Sequence, residues 1–247
     1  MEMTKQSSMM KRLATAALSA LTIFTLSACG QNTTQSDAKP GTVSEMTGEN
    51  LDKILEDTKQ KENYLVIDVR PSDEYKEGTV KYAVNIPEAD IDSKADTLND
   101  YKDKDIVTIA DSKDKSEVVA KKLVDKGFNK VSNAEGIKDH QYTVTTKVQF
   151  VIGDALQKAA DSGDYTILDA RDEKDYEAGH LMGAKRIDVK NLDEEIKQVP
   201  KDKPVMTYCY SGNKSYKAAQ KLVDEGWSNV YNSNDGTKEH DFELVKD

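Results

Sequence analysis

Tyr64-Leu-Val-Ile-Asp68-Val-Arg70 returns about 100 residues later as Tyr165-Thr-Ile-Leu-Asp169-Ala-Arg171, and this recurrence decides how the chain is read. Each run is followed by an acidic turn and then by Glu74-Tyr75-Lys-Glu-Gly78 or Asp175-Tyr176-Glu-Ala-Gly179. Further along, Thr108-Ile-Ala-Asp-Ser-Lys-Asp-Lys115-Ser116 matches Thr207-Tyr-Cys-Tyr-Ser-Gly-Asn-Lys214-Ser215. Lys122-Leu-Val-Asp125-Lys-Gly127 then matches Lys221-Leu-Val-Asp224-Glu-Gly226. So long a period does not fit a solenoid; it means two copies of one domain. Their expected spans are residues 44–141 and 142–247, meeting near the Thr-rich stretch at residues 142–147.

Within each copy two periodicities alternate. Short apolar runs bounded by turn residues predict strands at residues 65–69, 106–110, 167–170 and 205–209. Helical spacing predicts helices at residues 116–126, with Val119, Leu123 and Val124 on one face, and 215–225, with Ala218, Ala219, Leu222 and Val223. Gly127 and Gly226 stand where a glycine ends a helix. Strands alternating with helices predict an α/β fold in each copy, a mainly parallel sheet flanked by helices.

The 247 residues suffice for two modest domains, and 32% of them are charged. The net charge of -10 disfavours nucleic acid as a partner, because an acidic surface repels phosphate backbones. Two cysteines, Cys29 and Cys209, and three histidines, His140, His180 and His240, show no metal-ligand spacing. Neither a metal nor a cofactor is expected.

The N-terminus reads as an address. Lys5, Lys11 and Arg12 precede an apolar run, residues 13–26, that is short for a membrane span. It ends in Leu26-Ser-Ala-Cys29, which resembles a bacterial lipobox. The resemblance implies a lipoprotein signal peptide over residues 1–29 and lipidation of Cys29. Acyl chains there would anchor the protein to the extracytoplasmic face of the cell membrane, through burial of methylenes at about 0.8 kcal/mol each. Residues 30–43 lack apolar periodicity and read as a flexible tether. With Cys29 acylated, Cys209 is the remaining thiol and no intramolecular disulfide can form.

In the second copy a strand runs directly into Cys209-Tyr210-Ser211-Gly212-Asn213-Lys214-Ser215, and a helix follows. A strand, a short polar loop and a helix start together gather backbone N–H groups and the positive end of a helix dipole. A cysteine heading such a loop is expected to be a nucleophilic thiolate that can carry an outer sulfur atom. Gly212 permits the tight turn, Lys214 adds positive charge, and Ser215 is expected to cap the helix. Asp169 and Arg171 are expected to brace the loop, His180 to cap a turn, and Tyr210 and Ser211 to line the loop.

This loop resembles the rhodanese signature Cys-x-x-Gly-x-Arg-Ser. Asp169-Ala-Arg171 and Gly179-His180-Leu-Met-Gly183-Ala184 are similar to the family's Asp-x-Arg and Gly-His-(apolar)-x-Gly-Ala motifs. The resemblance implies a sulfurtransferase whose Cys209 takes sulfane sulfur as a persulfide. The donor would be thiosulfate, a polysulfide or a persulfide, and the acceptor a thiol or another nucleophile. Two departures stand out in the second copy: Lys214 replaces the arginine, and the family's closing Gly-Gly and Trp survive only as Gly236 and His240. The first copy departs further, with Ala110 at the position of Cys209, Lys113 at that of Gly212 and Thr79 at that of His180. Alanine cannot hold sulfur, so the first domain is expected to be silent, a scaffold or docking surface. Two alternatives remain at this point: a non-enzymatic pair of rhodanese folds that binds a partner, and a phosphatase or arsenate reductase of the related fold. The latter relatives typically have a longer loop and an arginine grip.

Overall fold

The computed structural model describes residues 41–246; the expected signal peptide, Cys29 and all but the end of the tether lie outside the described residues. The first copy runs β1 (Val43–Met46), α1 (Gly48–Glu56), β2 (Tyr64–Asp68), α2 (Ser72–Glu77), β3 (Thr79–Val80), β4 (Val84–Asn85), α3 (Ile91–Lys94), β5 (Asp105–Ile109), α4 (Lys113–Asp125) and β6 (Val131–Ala134). After β7 (Thr145–Thr146) the second copy runs β8 (Gln149–Val151), α5 (Ala155–Ser162), β9 (Thr166–Asp169), α6 (Glu173–Ala178), β10 (Lys185–Arg186), α7 (Leu192–Glu195), β11 (Val205–Tyr208), α8 (Asn213–Asp224), β12 (Val230–Ser233) and α9 (Gly236–Glu239). Val43, placed at the end of the tether by its composition, already opens β1.

Both copies contribute to one 10-stranded sheet, in the order β1-β6-β5-β2-β4-β8-β12-β11-β9-β10. The order of the first half repeats in the second, and every pairing in this sheet is parallel. The halves join where Val84 of β4 pairs with Phe150 of β8. Beside that joint, β3 and β7 form a short antiparallel ribbon. Central strands covered on both faces read as apolar runs, which is why Leu65, Val66 and Ile67 in β2 and Ile106 and Val107 in β5 are all buried.

The periodic elements stand where the sequence places them, with shifted ends. Val69, Ala110, Ala170 and Cys209 fall just past their strands, and the helices begin at Lys113 and Asn213, before the expected starts at Ser116 and Ser215. Ser215 is therefore not a cap. Its buried hydroxyl donates to Asn232 Oδ1 at 2.6 Å, while Gly212 occupies the N-cap position. The copied hydroxyl of Ser116 does the same with Asn133, also at 2.6 Å. Gly127 and Gly226 end their helices with φ of 90° and 93°.

One apolar core runs through both halves and includes Cys209; a smaller one around Leu156, Leu181, Met206 and Tyr208 lies in the second half. At the seam, the rings of Tyr82, Phe150 and Tyr216 meet with centroids 5.5 to 5.9 Å apart. Aromatic pairs of this geometry add about 0.5–1.5 kcal/mol each beyond their buried area. Tyr75 hydroxyl donates to Ala83 O at 2.9 Å and accepts from Phe150 N at 2.8 Å, tying the copies through their backbones. Among the described residues, no helix is long and apolar enough to cross a membrane.

Candidate active site

Cys209 leaves the end of β11 and the chain turns at once into α8. Gly212, with φ of 76°, makes that turn in the left-handed region. A Cβ there would sit 2.5 Å from Ser233 O and 2.9 Å from Asn234 Cα, so glycine is also required by close approach. Gly236 answers from the other side: its Cβ would lie 2.3 Å from Cys209 O. The residues after it clasp the loop, Thr237 N donating to Cys209 O at 3.0 Å and Lys238 N to Tyr210 O at 2.8 Å. The loop's own N–H groups are left over. Among the described residues, those of Tyr210, Ser211, Gly212, Asn213, Lys214 and Ser215 donate to no protein acceptor. Unpaired N–H groups at the start of a helix form a site suited to an anion.

Asp169 is fully buried and accepts from Arg171 N at 2.8 Å, Arg171 Nη2 at 2.6 Å and Tyr208 hydroxyl at 2.7 Å. Arg171 Nη2 also reaches Gly179 O at 2.6 Å, and Tyr208 hydroxyl accepts from Leu181 N at 3.1 Å. The pair thus braces the strand ahead of Cys209 and the 179–181 segment; among the described residues it makes no hydrogen bond to the loop itself. His180 stacks on Tyr176 with centroids 4.1 Å apart, its Nδ1 3.1 Å from Tyr176 O. Lys214 Nζ lies 2.6 Å from Asp172 Oδ1. Tyr210 hydroxyl donates to Asp175 and accepts from Asp172 N at 3.2 Å. Burial, then the hydrogen bond to Asp175, push the Tyr210 phenol up to about 12. Both loop side chains are thereby tied to α6 and the residue before it.

Ser211 is 8% exposed and Cys209 is 1% exposed, a depth that the polar loop did not suggest. Part of the reason comes from the first copy, in residues that the sequence did not single out. Lys61 Nζ donates to Ser211 O at 2.5 Å, Asn213 Nδ2 donates to Thr58 O at 3.1 Å, and Asn234 Nδ2 donates to Tyr82 O at 2.7 Å. Tyr82 has a φ of 66°, the one non-glycine with positive φ among the described residues. It stands where the second copy has Gly183, φ 73°. A tyrosine in place of the repeat's glycine was the available signal for it; Lys61, among other charged residues of a surface-like stretch, offered none.

The corresponding loop of the first copy is built differently. Asp111 takes the place of Tyr210, and its carboxylate lies 2.7 Å from Lys138 Nζ, 3.4 Å from Lys115 Nζ and 3.7 Å from Arg70 Nη1. The hydrogen bonds to Lys138 and Lys115 outweigh burial and hold its pKa below the usual carboxylate range. Asp139 Oδ2 accepts from Lys113 N at 3.4 Å. A surface pocket of about 610 Å³ is lined in part by Ala110, Arg70 and Lys115. Among the described residues, no group of His, Cys, Asp and Glu is arranged to hold a metal ion.

The rhodanese-like domain family model matches the chain twice, over residues 49–137 and 153–240. The thiosulfate sulfurtransferase GlpE of Pseudomonas fluorescens is 41% identical over 70 residues, covering 28% of this chain and 64% of that protein. GlpE of Coxiella burnetii is 40% identical over 68 residues, with the same shares of 28% and 64%. The chain therefore spans a little under two thirds of the length of these relatives. Among solved structures, a thiosulfate sulfurtransferase from Pseudomonas aeruginosa aligns over 79% of this chain and 41% of its own, at 16% identity and a TM-score of 0.35. With both matches falling on the two copies of the internal repeat, the chain belongs to the rhodanese-like family and carries two of its domains in tandem.

Proposed function

We propose that this protein is an extracytoplasmic, lipid-anchored sulfurtransferase in which Cys209 of the second domain alone carries sulfane sulfur. The observation that carries the reading is the run of unpaired N–H groups from Tyr210 to Ser215 behind a cysteine at a helix start. In the first half-reaction the Cys209 thiolate attacks the outer sulfur of thiosulfate. A bond forms between the two sulfurs, the S–S bond of thiosulfate breaks, and sulfite leaves with its electron pair. A nucleophilic acceptor, such as a thiolate, then attacks the outer sulfur and the Cys209 thiolate leaves. Tyr210, Ser211, Gly212, Asn213, Lys214 and Ser215 would receive the anionic donor through the loop N–H groups, with Lys214 exchanging Asp172 for the donor. At 1% exposure Cys209 is reached only by local opening, which favours small donors.

The mass of the intact protein tests this. After incubation with thiosulfate or polysulfide it gains one sulfur atom, and Cys209→Ser gains none. The burial of Cys209 favours a second reading, a pair of rhodanese folds that binds a partner without chemistry; absence of any sulfur adduct would select it. Turnover of an aryl phosphate would instead point to the phosphatase reading. Anchoring rests on the Leu26-Ser-Ala-Cys29 motif. It is tested by fatty-acid labelling that Cys29→Ser abolishes, with release of the protein from the membrane fraction.

A further inference from the structure

The cysteine-less copy places a cation beneath the loop of its neighbour. Lys61 lies in the short 3-10 turn Lys61–Asn63 between α1 and β2 and is 5% exposed. Its Nζ donates to Ser211 O at 2.5 Å and Asn234 O at 2.8 Å, and lies 4.7 Å from the centre of the Tyr82 ring. One carbonyl belongs to the loop. The other belongs to the turn against which Gly212 is packed. Lys61 therefore bridges the two backbone segments that frame Cys209.

Among the described residues, no carboxylate lies within ion-pair distance of Lys61. Glu62 is taken by Lys238, and Glu239 by Lys104 at 2.5 Å. A buried ammonium held by carbonyl dipoles and a ring face, with no carboxylate partner, is unfavourable, and burial lowers its pKa to about 8. Glu239 raises it in part, Lys104 lowers it, and Glu62 and the Cys209 sulfur raise it. An ammonium bonded to the carbonyl two residues beyond Cys209, in a buried site, lends the head of the loop a positive field.

We propose that Lys61 is a positioning residue for Cys209: the first domain supplies the ammonium that holds the loop against the turn after β12 and favours a sulfur anion at residue 209. This rests on the reading of Cys209 as a sulfur carrier, and it gives the domain without a cysteine a part in the reaction.

A bare structural brace and a field-supplying cation differ in what they do to ionisation. The full chain is compared with Lys61→Met and Lys61→Arg. Thiolate absorbance is followed against pH as the difference from Cys209→Ser, and sulfur loading from thiosulfate is followed by mass. Lys61→Met is expected to move the appearance of thiolate upward by about one pH unit and to slow loading about 10-fold at neutral pH. Wild-type loading should fall as pH rises through about 8, where Lys61 loses its proton. Lys61→Arg keeps the charge and should show no such fall. The other groups facing Lys61 are Glu62, Lys104, Glu239, Asp235, Tyr64, Tyr82 and Tyr101, of which all three tyrosines are held above the usual phenol range. Ionisation of Cys209 itself can only raise loading with pH, so a falling limb that Lys61→Arg removes belongs to Lys61 and not to Lys214. Unchanged thiolate appearance in Lys61→Met overturns the proposal even if loading drops. A shifted ionisation without loading in any variant upholds the field of Lys61 and rejects sulfur transfer. Should Lys61→Met fail to fold, the wild-type and Lys61→Arg pH profiles decide: a fall near 8 in both, or in neither, overturns it.

Discussion

The loops that follow β5 and β11 leave equivalent strands and enter equivalent helices, yet they turn in different ways. After β11 the chain passes through Gly212 at positive φ and α8 starts at Asn213. After β5 the residue in that place is Lys113, already the first residue of α4, with Ser112 extended before it. The first loop also supplies its own anion, Asp111, to Arg70, Lys115 and Lys138, and an N–H of the loop is taken by Asp139. The second leaves its N–H groups without protein acceptors and directs the side chains of Tyr210 and Lys214 to Asp175 and Asp172. The missing cysteine is thus one of several differences: the first loop carries its own anion and meets two of its N–H groups, those of Lys113 and Lys115, with Asp139 and Ser112 O, where the second meets none. The scaffold below was left alone. Thr108, Ser116 and Asn133 repeat the hydrogen bonds of Thr207, Ser215 and Asn232.

The sharpest way to break this comparison is to exchange the thiol. Cys209→Ser is expected to abolish sulfur loading, a loss of at least about 10³-fold. Ala110→Cys should gain none, and a sulfur adduct on residue 110 would show that the shape of the loop does not matter. Next come the shared braces. Asp169→Ala strands the buried Arg171 and should cost about 3–5 kcal/mol in urea unfolding, with Asp68→Ala matching it. A much smaller loss at Asp68 would mean that the copy without a cysteine has a looser brace as well.

The buried lysine has no counterpart of its kind in the second copy, and its sign is distinctive. Its folded pKa, about 8, lies below the unfolded 10.5, so the unfolded chain binds the proton more tightly. The resulting destabilisation is complete below pH 8 and is relieved as pH rises toward 10.5. It amounts to about 3 kcal/mol at most, so Lys61→Met should unfold at no lower urea concentration than wild type at neutral pH and lose that advantage in alkali. Gly212→Ala comes next, at about 2–3 kcal/mol, because strain at positive φ adds to a backbone clash; Lys113→Ala, its counterpart, should be nearly silent in the same unfolding measurement. Smallest is Gly183→Ala, about 1 kcal/mol, since nothing lies within 4 Å of the added Cβ and only the backbone conformation is charged. A much larger loss would mean that Tyr82 holds its φ of 66° by a different packing of the same turn.

Much of this was legible along the chain. Two copies, the strands, the helix faces and the Asp–Arg brace are local or periodic signals, and Asp169 with Arg171 needs only a two-residue spacing to be recognised. The helix starts differ from expectation because Ser215 has the right chemistry for a cap but spends its hydroxyl on Asn232, as Ser116 does on Asn133, each 17 residues further on. The site was legible as a loop and a thiol, but not as a buried one. Lys61 meets Ser211 across 150 residues and Tyr82 meets Asn234 across 152, and neither contact leaves a periodic trace.

What the residues alone determined is the repeated α/β unit, since apolar spacing and turn chemistry act over a few residues and are written in order. What only the folded chain decided is how the two units share one sheet through Val84 and Phe150, and which side chains of the first unit are pressed against the loop of the second. Packing across a seam depends on shape and on the cost of burying charge, and both exist only after distant segments have come together.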